Sequence, residues 1–242
     1  MRIKILKSAF IFLGLCPVLA FGHFMIFPGE TRCMFIEWSK YQKDSDLYVE
    51  PGTGAAKLMQ VKQLIHSSKG RVRAFWGSLD GRPQFIFCNS SKEFEKYAGP
   101  GAGPACSFMK LRGYIVISND GLQTDIISHE LSHIELYSRI GFWKNVFLIP
   151  AWFHEGLAMQ VDNRPDFSTD SLRKYSVGFT HLPDLQKLRT TSEFNTGTPD
   201  EVILNYAAAK YTVAQWNSPG KLNRFITLIH KGKGFDEAWS GK

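Results

Sequence analysis

Short apolar runs alternate with turn residues along the first half of the chain. Apolar residues recur at helical spacing in Leu58–Ile65, which predicts a helix. The runs Val72–Trp76 and Gln84–Cys88 have the composition of strands, and the Asp-Gly-Arg-Pro segment between them predicts a hairpin. Further along, Ser91–Ala98 is predicted as a short helix and Gly113–Ser118 as a strand.

The second half of the chain has helical spacing throughout. Asp120 and Gln123 have the spacing of a capping box, and Gly141 ends the helix that they begin. Pro150 begins the next helix, and Glu201–Trp239 contains two or three amphipathic helices separated by glycine and proline. The fold class predicted is α+β, with a small N-terminal mixed or antiparallel sheet and a helical C-terminal half.

The N-terminus has the order of an export signal. Three basic residues among the first seven precede an almost entirely apolar run, Ala9–Phe27. This pattern predicts a signal peptide of residues 1–22, or an uncleaved membrane anchor that extends to about residue 28. In both cases residues 23–242, predicted as a single domain with an irregular lead-in up to residue 50, lie outside the cytoplasm. The expected location is the bacterial periplasm or the outer face of the inner membrane, with secretion as an alternative.

Composition and charge exclude two classes of protein. Hydrophobic residues make up 44% of the chain and charged residues 21%, so the chain can bury a core and is not disordered. The formal net charge is +7, of which three charges belong to the N-terminal signal. The remaining lysines and arginines form no dense run, and no RNA-binding or zinc-finger signature accompanies them, so no nucleic-acid partner is expected.

Three cysteines lie outside the N-terminal signal. Cys88 ends a predicted strand and Cys106 follows a loop rich in glycine and proline, which favours a Cys88–Cys106 disulfide that leaves Cys33 unassigned. The alternative is three buried thiols that act as small hydrophobic side chains. No pair has the close spacing of a structural zinc site.

The sequence HELSH at residues 129–133 matches the zinc-binding pattern HExxH. On a helix His129 and His133 lie one turn apart on the same face, so both imidazoles can point at one ion. Glu130 is rotated from His129 by about 100° around the helix axis, so it lies beside the ion, within reach of a bound water. The pattern alone also fits a surface helix with two incidental histidines.

A second segment supplies a third ligand. Catalytic zinc needs three protein ligands and an open position, and two histidines with one glutamate are such a set. Residues 150–158 read PAWFHEGLA, with Glu155 on a predicted helix. Together the two motifs resemble the gluzincin metallopeptidases, specifically the bacterial peptidase-MA-like group. That group's pattern is HExxH, about twenty residues, and then P-x-W-x-x-E-G-x-A.

The resemblance covers about residues 70 to 240 and implies a zincin-like fold. It implies Zn²⁺ held by His129, His133 and Glu155. His154 is also a possible zinc ligand, but the resemblance selects Glu155 and leaves the role of His154 open.

The resemblance further implies an exported zinc metallopeptidase. Glu130 would take a proton from a zinc-activated water and pass it to the leaving amine. In related enzymes a tyrosine on a later helix often supplies a second donor for the oxyanion, which makes Tyr206 the candidate and Tyr211 the next. Both tyrosines also fit the role of core aromatics. The family suggests Gly113–Ser118 as the edge strand of the cleft, on which a peptide or protein substrate of the cell envelope would add as a strand.

Other functions share these motifs. A catalytically inactive zinc-binding scaffold would have the same ligands, although the presence of Glu130 argues against it. A hydrolase of cell-wall peptides would use the same zinc chemistry. An intramembrane protease is not expected, because four charged residues interrupt any membrane span around the motif: Asp125, Glu135, Arg139 and Lys144.

Overall fold

A computed structural model describes residues 22–109 and 112–241. Residues 1–21, which make up most of the predicted export signal or anchor, lie outside the described residues. The last part of that signal or anchor is described and forms a helical turn at residues 22–26, with exposed side chains at Phe24–Phe27. Within the described ranges, no helix is both long enough and apolar enough to cross a membrane.

The N-terminal half is built around a five-stranded mixed sheet. Its strands are β1 (Gln42–Asp44), β2 (Leu47–Val49), β3 (Gln84–Phe87), β4 (Ala105–Met109) and β5 (Gly113–Ile117), in the spatial order β1-β2-β3-β5-β4. Strands β2, β3 and β5 are parallel, whereas β1 and β4 are antiparallel edge strands. Every residue of β5 is buried, as its continuous apolar sequence requires.

Helices cover both faces of the sheet. They are α1 (Pro28–Met34), α2 (Ala55–Trp76), α3 (Ser91–Ala98) and α4 (Thr124–Ile140). Because alternate strand residues point to opposite faces, Ile86 and Val116 pack with α1 and α3, whereas Phe85 and Ile115 pack with α2 and α4.

The C-terminal half is helical, as predicted. After α4 follow α5 (Phe142–Leu148), α6 (Ala151–Ala158), α7 (Thr169–Tyr175), α8 (Thr191–Asn195), α9 (Pro199–Trp216), α10 (Lys221–His230) and α11 (Phe235–Ser240). Single 3₁₀ turns lie at Ile36–Trp38, Met159–Val161, Pro165–Phe167 and Leu185–Lys187. One hydrophobic core joins the sheet, α4, α6 and the last helices. The predicted α+β class is therefore confirmed at the level of mixed helix and sheet.

The hairpin predicted between Val72–Trp76 and Gln84–Cys88 is wrong. Val72–Trp76 is the last part of α2, which runs without interruption from Ala55 to Trp76. Val61, Ile65, Ser68, Val72 and Trp76 are buried at steps of three or four residues, which is helical periodicity. A loop then leads into β3.

Three other local predictions are corrected. The lead-in at residues 23–50 is not irregular, because it contains α1, β1 and β2. The strand at Gly113–Ile117 is present, but it is β5, in the interior of the sheet, and the edge is the unpredicted strand β4.

Helix α4 begins after Gln123 without a capping box; the Gln123 side chain instead donates to the Asp120 carbonyl at 3.3 Å. The helix ends at Gly141 as predicted.

The Cys88–Cys106 disulfide is not formed, and Cys33, Cys88 and Cys106 are free thiols. Cys88 follows β3 and Cys106 lies on β4, with β5 between those strands. Two strand spacings amount to about 10 Å, whereas the Cα atoms of a disulfide lie within about 7 Å of each other. Cys33 and Cys88 are instead fully buried between the sheet and the α1 and α3 helices.

Candidate metal centre

Helix α4 positions the two histidines of the HELSH segment. His129 and His133 lie one turn apart and are both buried, with 6% and 8% of their surface exposed. The apolar residues Ile127, Leu131 and Ile134 belong to the main hydrophobic core. The helix is therefore anchored by one face and carries the histidines on another, as the sequence predicts.

Helix α6 brings Glu155 to the two histidines. Pro150 is the N-cap residue, so the helix begins where the sequence predicts. The backbone N–H groups of Ala151 and Trp152 donate to the carbonyls of Arg189 and Leu188 at 2.8 and 3.2 Å. These bonds satisfy donors that a helix N-terminus leaves without intrahelical partners. The segment before α8 thus fixes the orientation of α6.

The three ligand atoms lie at the spacing of a tetrahedral metal site. The Nε2 atoms of His129 and His133 are 3.1 Å apart. Oε2 of Glu155 lies 3.2 Å from the first of these nitrogens and 3.5 Å from the second. Zinc–ligand bonds of about 2.0 to 2.1 Å at tetrahedral angles separate ligand atoms by about 3.3 to 3.4 Å. Within the described ranges, these three residues are the one group of His, Cys, Asp and Glu ligands with such convergence.

The carboxylate of Glu155 and the two imidazoles shift one another's pKa in this centre. Oε2 of Glu155 is buried and accepts no hydrogen bond of normal geometry from the described residues. Burial would raise the pKa of Glu155, but the two histidines outweigh burial and lower it well below its usual value. Burial would lower the pKa of His133, and the carboxylate of Glu155 raises it instead. A buried carboxylate and two imidazoles with converging lone pairs fit a divalent cation.

His154 lies outside the ligand group. Its Nδ1 is 2.6 Å from Nδ1 of His133, which is the ring nitrogen of His133 that points away from Glu155. Burial and the neighbouring His133 lower the pKa of His154 to about 3, so this imidazole is neutral. The adjacent residues His154 and Glu155 thus have different tasks, because only Glu155 reaches the ligand group.

Asp162 is a site residue that the sequence reasoning missed. Its carboxylate is fully buried, and Oδ2 lies 3.6 Å from Nδ1 of His129. Arg164 holds this carboxylate through its Nε, at 3.0 and 2.9 Å from the two oxygens. Burial would raise the pKa of Asp162, but the hydrogen bonds from Arg164 lower it below its usual value. Asp162 therefore places a negative charge on the side of His129 opposite the ligand group. The 3.6 Å separation is longer than a hydrogen bond, and the buried Nδ1 of His129 has no hydrogen-bond partner among the described residues.

Glu130 lines a cavity of about 650 Å³ together with His129, His133 and Glu155. Its carboxylate forms no hydrogen bond or ion pair with any residue in the described part of the chain. The sequence places it off the ligand face of α4, and the structure agrees, since Glu130 is not one of the converging ligands. No described residue therefore competes with a water molecule for this carboxylate in the cavity.

Tyr206 reaches the same cavity from α9. Its ring centre is 6.3 Å from that of His129, and its hydroxyl donates to Oδ1 of Asn195 at 3.4 Å. Burial, followed by the charges of Glu155 and Glu130, raises the pKa of Tyr206, so the hydroxyl stays protonated. Tyr211 is exposed and contacts Phe179 instead of the cavity. Of the two candidate tyrosines, only Tyr206 lies at the site.

Strand β4 forms one rim of the cavity, through Ala105, Cys106 and Ser107. The N–H of Ser118 donates to the carbonyl of Pro104. In an antiparallel pair the residues bonded to the partner strand alternate with residues whose backbone groups point away from it. By this alternation the N–H and C=O groups of Ala105 and Ser107 lie on the open edge. This edge, and not Gly113–Ser118, borders the candidate metal centre.

Glu135 is a fully buried carboxylate on α4, and it points away from the cavity. It accepts hydrogen bonds from the N–H groups of Asp80 and Gly81, at 3.0 and 2.7 Å, and from Nε of Arg139 at 2.8 Å. These bonds tie the loop between α2 and β3 to the helix that carries the histidines. Its role is structural.

No family model matches this chain, and neither a curated protein nor a solved structure matches it.

Proposed function

We propose that this chain is a zinc-dependent metallopeptidase that hydrolyses peptide bonds in the cell envelope. His129, His133 and Glu155 would hold Zn²⁺, Glu130 would be the general base, and Tyr206 would stabilise the oxyanion. The observation that carries the proposal is one cavity with two features. Three ligand atoms converge in it at tetrahedral spacing, and the carboxylate of Glu130, which has no hydrogen bond or ion pair with a described residue, lies beside them.

The choice of zinc rests on the donor set. Two imidazoles and one carboxylate, with a fourth position open to a cavity, are a known catalytic zinc arrangement. Zinc bound there would lower the pKa of a water and polarise a substrate carbonyl.

The protein groups would divide the proton transfers between them. Glu130 would accept a proton from the attacking water and donate it to the leaving amine, since its carboxylate has no other partner in the described part of the chain. The protonated hydroxyl of Tyr206 would donate to the carbonyl oxygen as negative charge develops there.

The substrate backbone would add to the free edge of β4. The outward N–H and C=O groups of Ala105 and Ser107 lie beside the cavity and form no hydrogen bond with the described residues outside their own strand pair. An extended peptide pairs with such an edge through its own backbone, so side chains would contribute selectivity only where they enter the cavity. The substrate would be an unfolded or extended segment.

The test measures zinc content and peptide cleavage on the same samples. Glu130→Gln should retain one zinc per chain and lose at least 10²-fold in cleavage rate, because it removes the base but no ligand. Glu155→Ala should lose zinc as well, because two histidines alone bind the ion weakly. Glu95→Gln, the same change at an exposed position on α3, is the control and should match the wild type.

Two results would redirect the proposal. Zinc binding by the wild type without cleavage in a broad library of peptides would favour a zinc-binding scaffold without catalysis. Cleavage of cross-linked cell-wall peptides, but not of linear peptides, would assign the same zinc chemistry to a cell-wall peptide hydrolase.

A further inference from the structure

We infer that His154 is a positioning residue that holds His133 in the tautomer required for metal binding. The inference rests on the proposed zinc site, but it does not depend on which bond the protein hydrolyses. It starts from two ring nitrogens of the same type: Nδ1 of His154 faces Nδ1 of His133 at 2.6 Å.

Two facing imidazole nitrogens at this distance share one proton. A contact between two lone pairs would be repulsive, and a contact between two N–H groups would place two hydrogens in the same space. His133 presents Nε2 to His129 and Glu155. A metal bound at Nε2 needs the lone pair of that nitrogen, so the ring proton of His133 must reside on Nδ1.

The position of the ring proton on His154 follows from the tautomer of His133. If Nδ1–H of His133 donates, Nδ1 of His154 must accept, and the proton of His154 resides on its Nε2. That atom is buried and has no hydrogen-bond partner among residues 22–109 and 112–241. His154 thus accepts a hydrogen bond at Nδ1, while its Nε2–H donates to no described residue.

The two ligand histidines therefore have different neighbours at Nδ1, the ring nitrogen that faces away from the metal site. Asp162, a carboxylate, lies behind His129. A neutral imidazole lies behind His133. A carboxylate in this position makes the ligand imidazole more basic than a neutral acceptor does, and outer partners of this kind affect metal affinity about 10- to 100-fold. The His133–His154 pair fixes the ring without adding negative charge to the centre.

The experiment replaces His154 by two amide side chains that place a hydrogen-bond acceptor for Nδ1–H of His133 at different positions. In His154→Asn the amide oxygen can take the position of Nδ1, whereas in His154→Gln it lies near the position of Nε2. Zinc affinity of the full-length chain is measured by competition with a chelator. The expected order is wild type close to His154→Asn, with His154→Gln and His154→Ala weaker by about 10- to 100-fold.

Long-range ¹H–¹⁵N spectra of the zinc-loaded chain read the tautomers directly. His133 should carry its proton on Nδ1 and His154 on Nε2. Equal zinc affinity in His154→Ala and wild type, or a metal-bound nitrogen on His154, would overturn the inference. A wild type that binds zinc with these tautomers but cleaves no peptide would sink the proposed activity and leave the role of His154 intact.

Discussion

Gly156 and Ala209 bring α6 and α9 into contact at the level of the backbone. A Cβ atom at Gly156 would lie 2.8 Å from the carbonyl oxygen of Ala209 and 2.6 Å from a methyl group of Val213. Glu155 precedes this glycine, and Tyr206 lies one turn before Ala209 on α9. The absence of a side chain at Gly156 therefore lets α9 approach α6 closely, and it leaves the ring centre of Tyr206 6.3 Å from that of His129.

Gly156→Ala should destabilise the fold, although alanine favours a helix more than glycine does. The added methyl group must displace α9, and overpacking of this kind costs about 1 to 3 kcal/mol. Urea unfolding measures the effect. Gly70→Ala is the matched control, because Gly70 is also helical and a Cβ there meets nothing within 4 Å. It should stabilise the fold by about 0.5 to 1 kcal/mol, so equal effects in both variants would contradict the prediction.

Tyr206→Phe should lower the rate of cleavage about 10²- to 10³-fold while zinc remains bound, because the phenyl ring keeps the packing and only the donor is lost. Zinc content and initial rates are measured together. Tyr211→Phe removes a hydroxyl from an exposed tyrosine on the same helix and should leave the rate unchanged. A loss of zinc in Tyr206→Phe would show a structural role instead.

Asp162→Asn should weaken zinc binding about 10- to 100-fold, because it removes the charge that backs His129. Chelator competition gives the affinity, and a thermal melt in excess zinc reports whether the fold is retained. Asp166→Asn changes an exposed aspartate four residues away and serves as control. An unchanged affinity would mean that the 3.6 Å approach to His129 does not matter for the ion.

Glu135→Ala should reduce the free energy of unfolding by about 3 to 5 kcal/mol, because Arg139 and two backbone N–H groups lose a buried charged partner. Denaturant unfolding tests this value. Ser138→Ala, at an exposed position of α4, should have little effect. Since Glu135 faces away from the cavity, folded Glu135→Ala should still bind zinc, and a selective loss of zinc would contradict this separation.

Local geometry explains which parts of the site could be predicted. Positions i and i+4 of a helix share a face whatever the rest of the fold does, so His129 and His133 follow from their spacing. Glu155 needed a second motif, and its convergence with the histidines depends on the contact between α4 and α6. Asp162 and the orientation of His154 could not be predicted, because both depend on how α6 and the following turn pack against α4.

The strand errors have a related cause. Val72–Trp76 contains residues that favour strands, but α2 continues to it from Ala55 and ends only at Gly77. Packing against the sheet and α4 overrides the local preference. Ala105–Met109 has no strong alternation and becomes a strand through pairing with β5. Its place at the edge depends on the order of strands, which no local pattern encodes.

The buried thiols of Cys33 and Cys88 can report when the helices α1 and α3 separate from the sheet. Burial raises the pKa of both thiols, that of Cys88 to about 12. Since the thiolate is the reactive form, an alkylating reagent should modify them only after the layer formed by α1 and α3 separates from the sheet. The rate at which Cys33 and Cys88 are alkylated would then measure how often this layer opens, without any engineered probe.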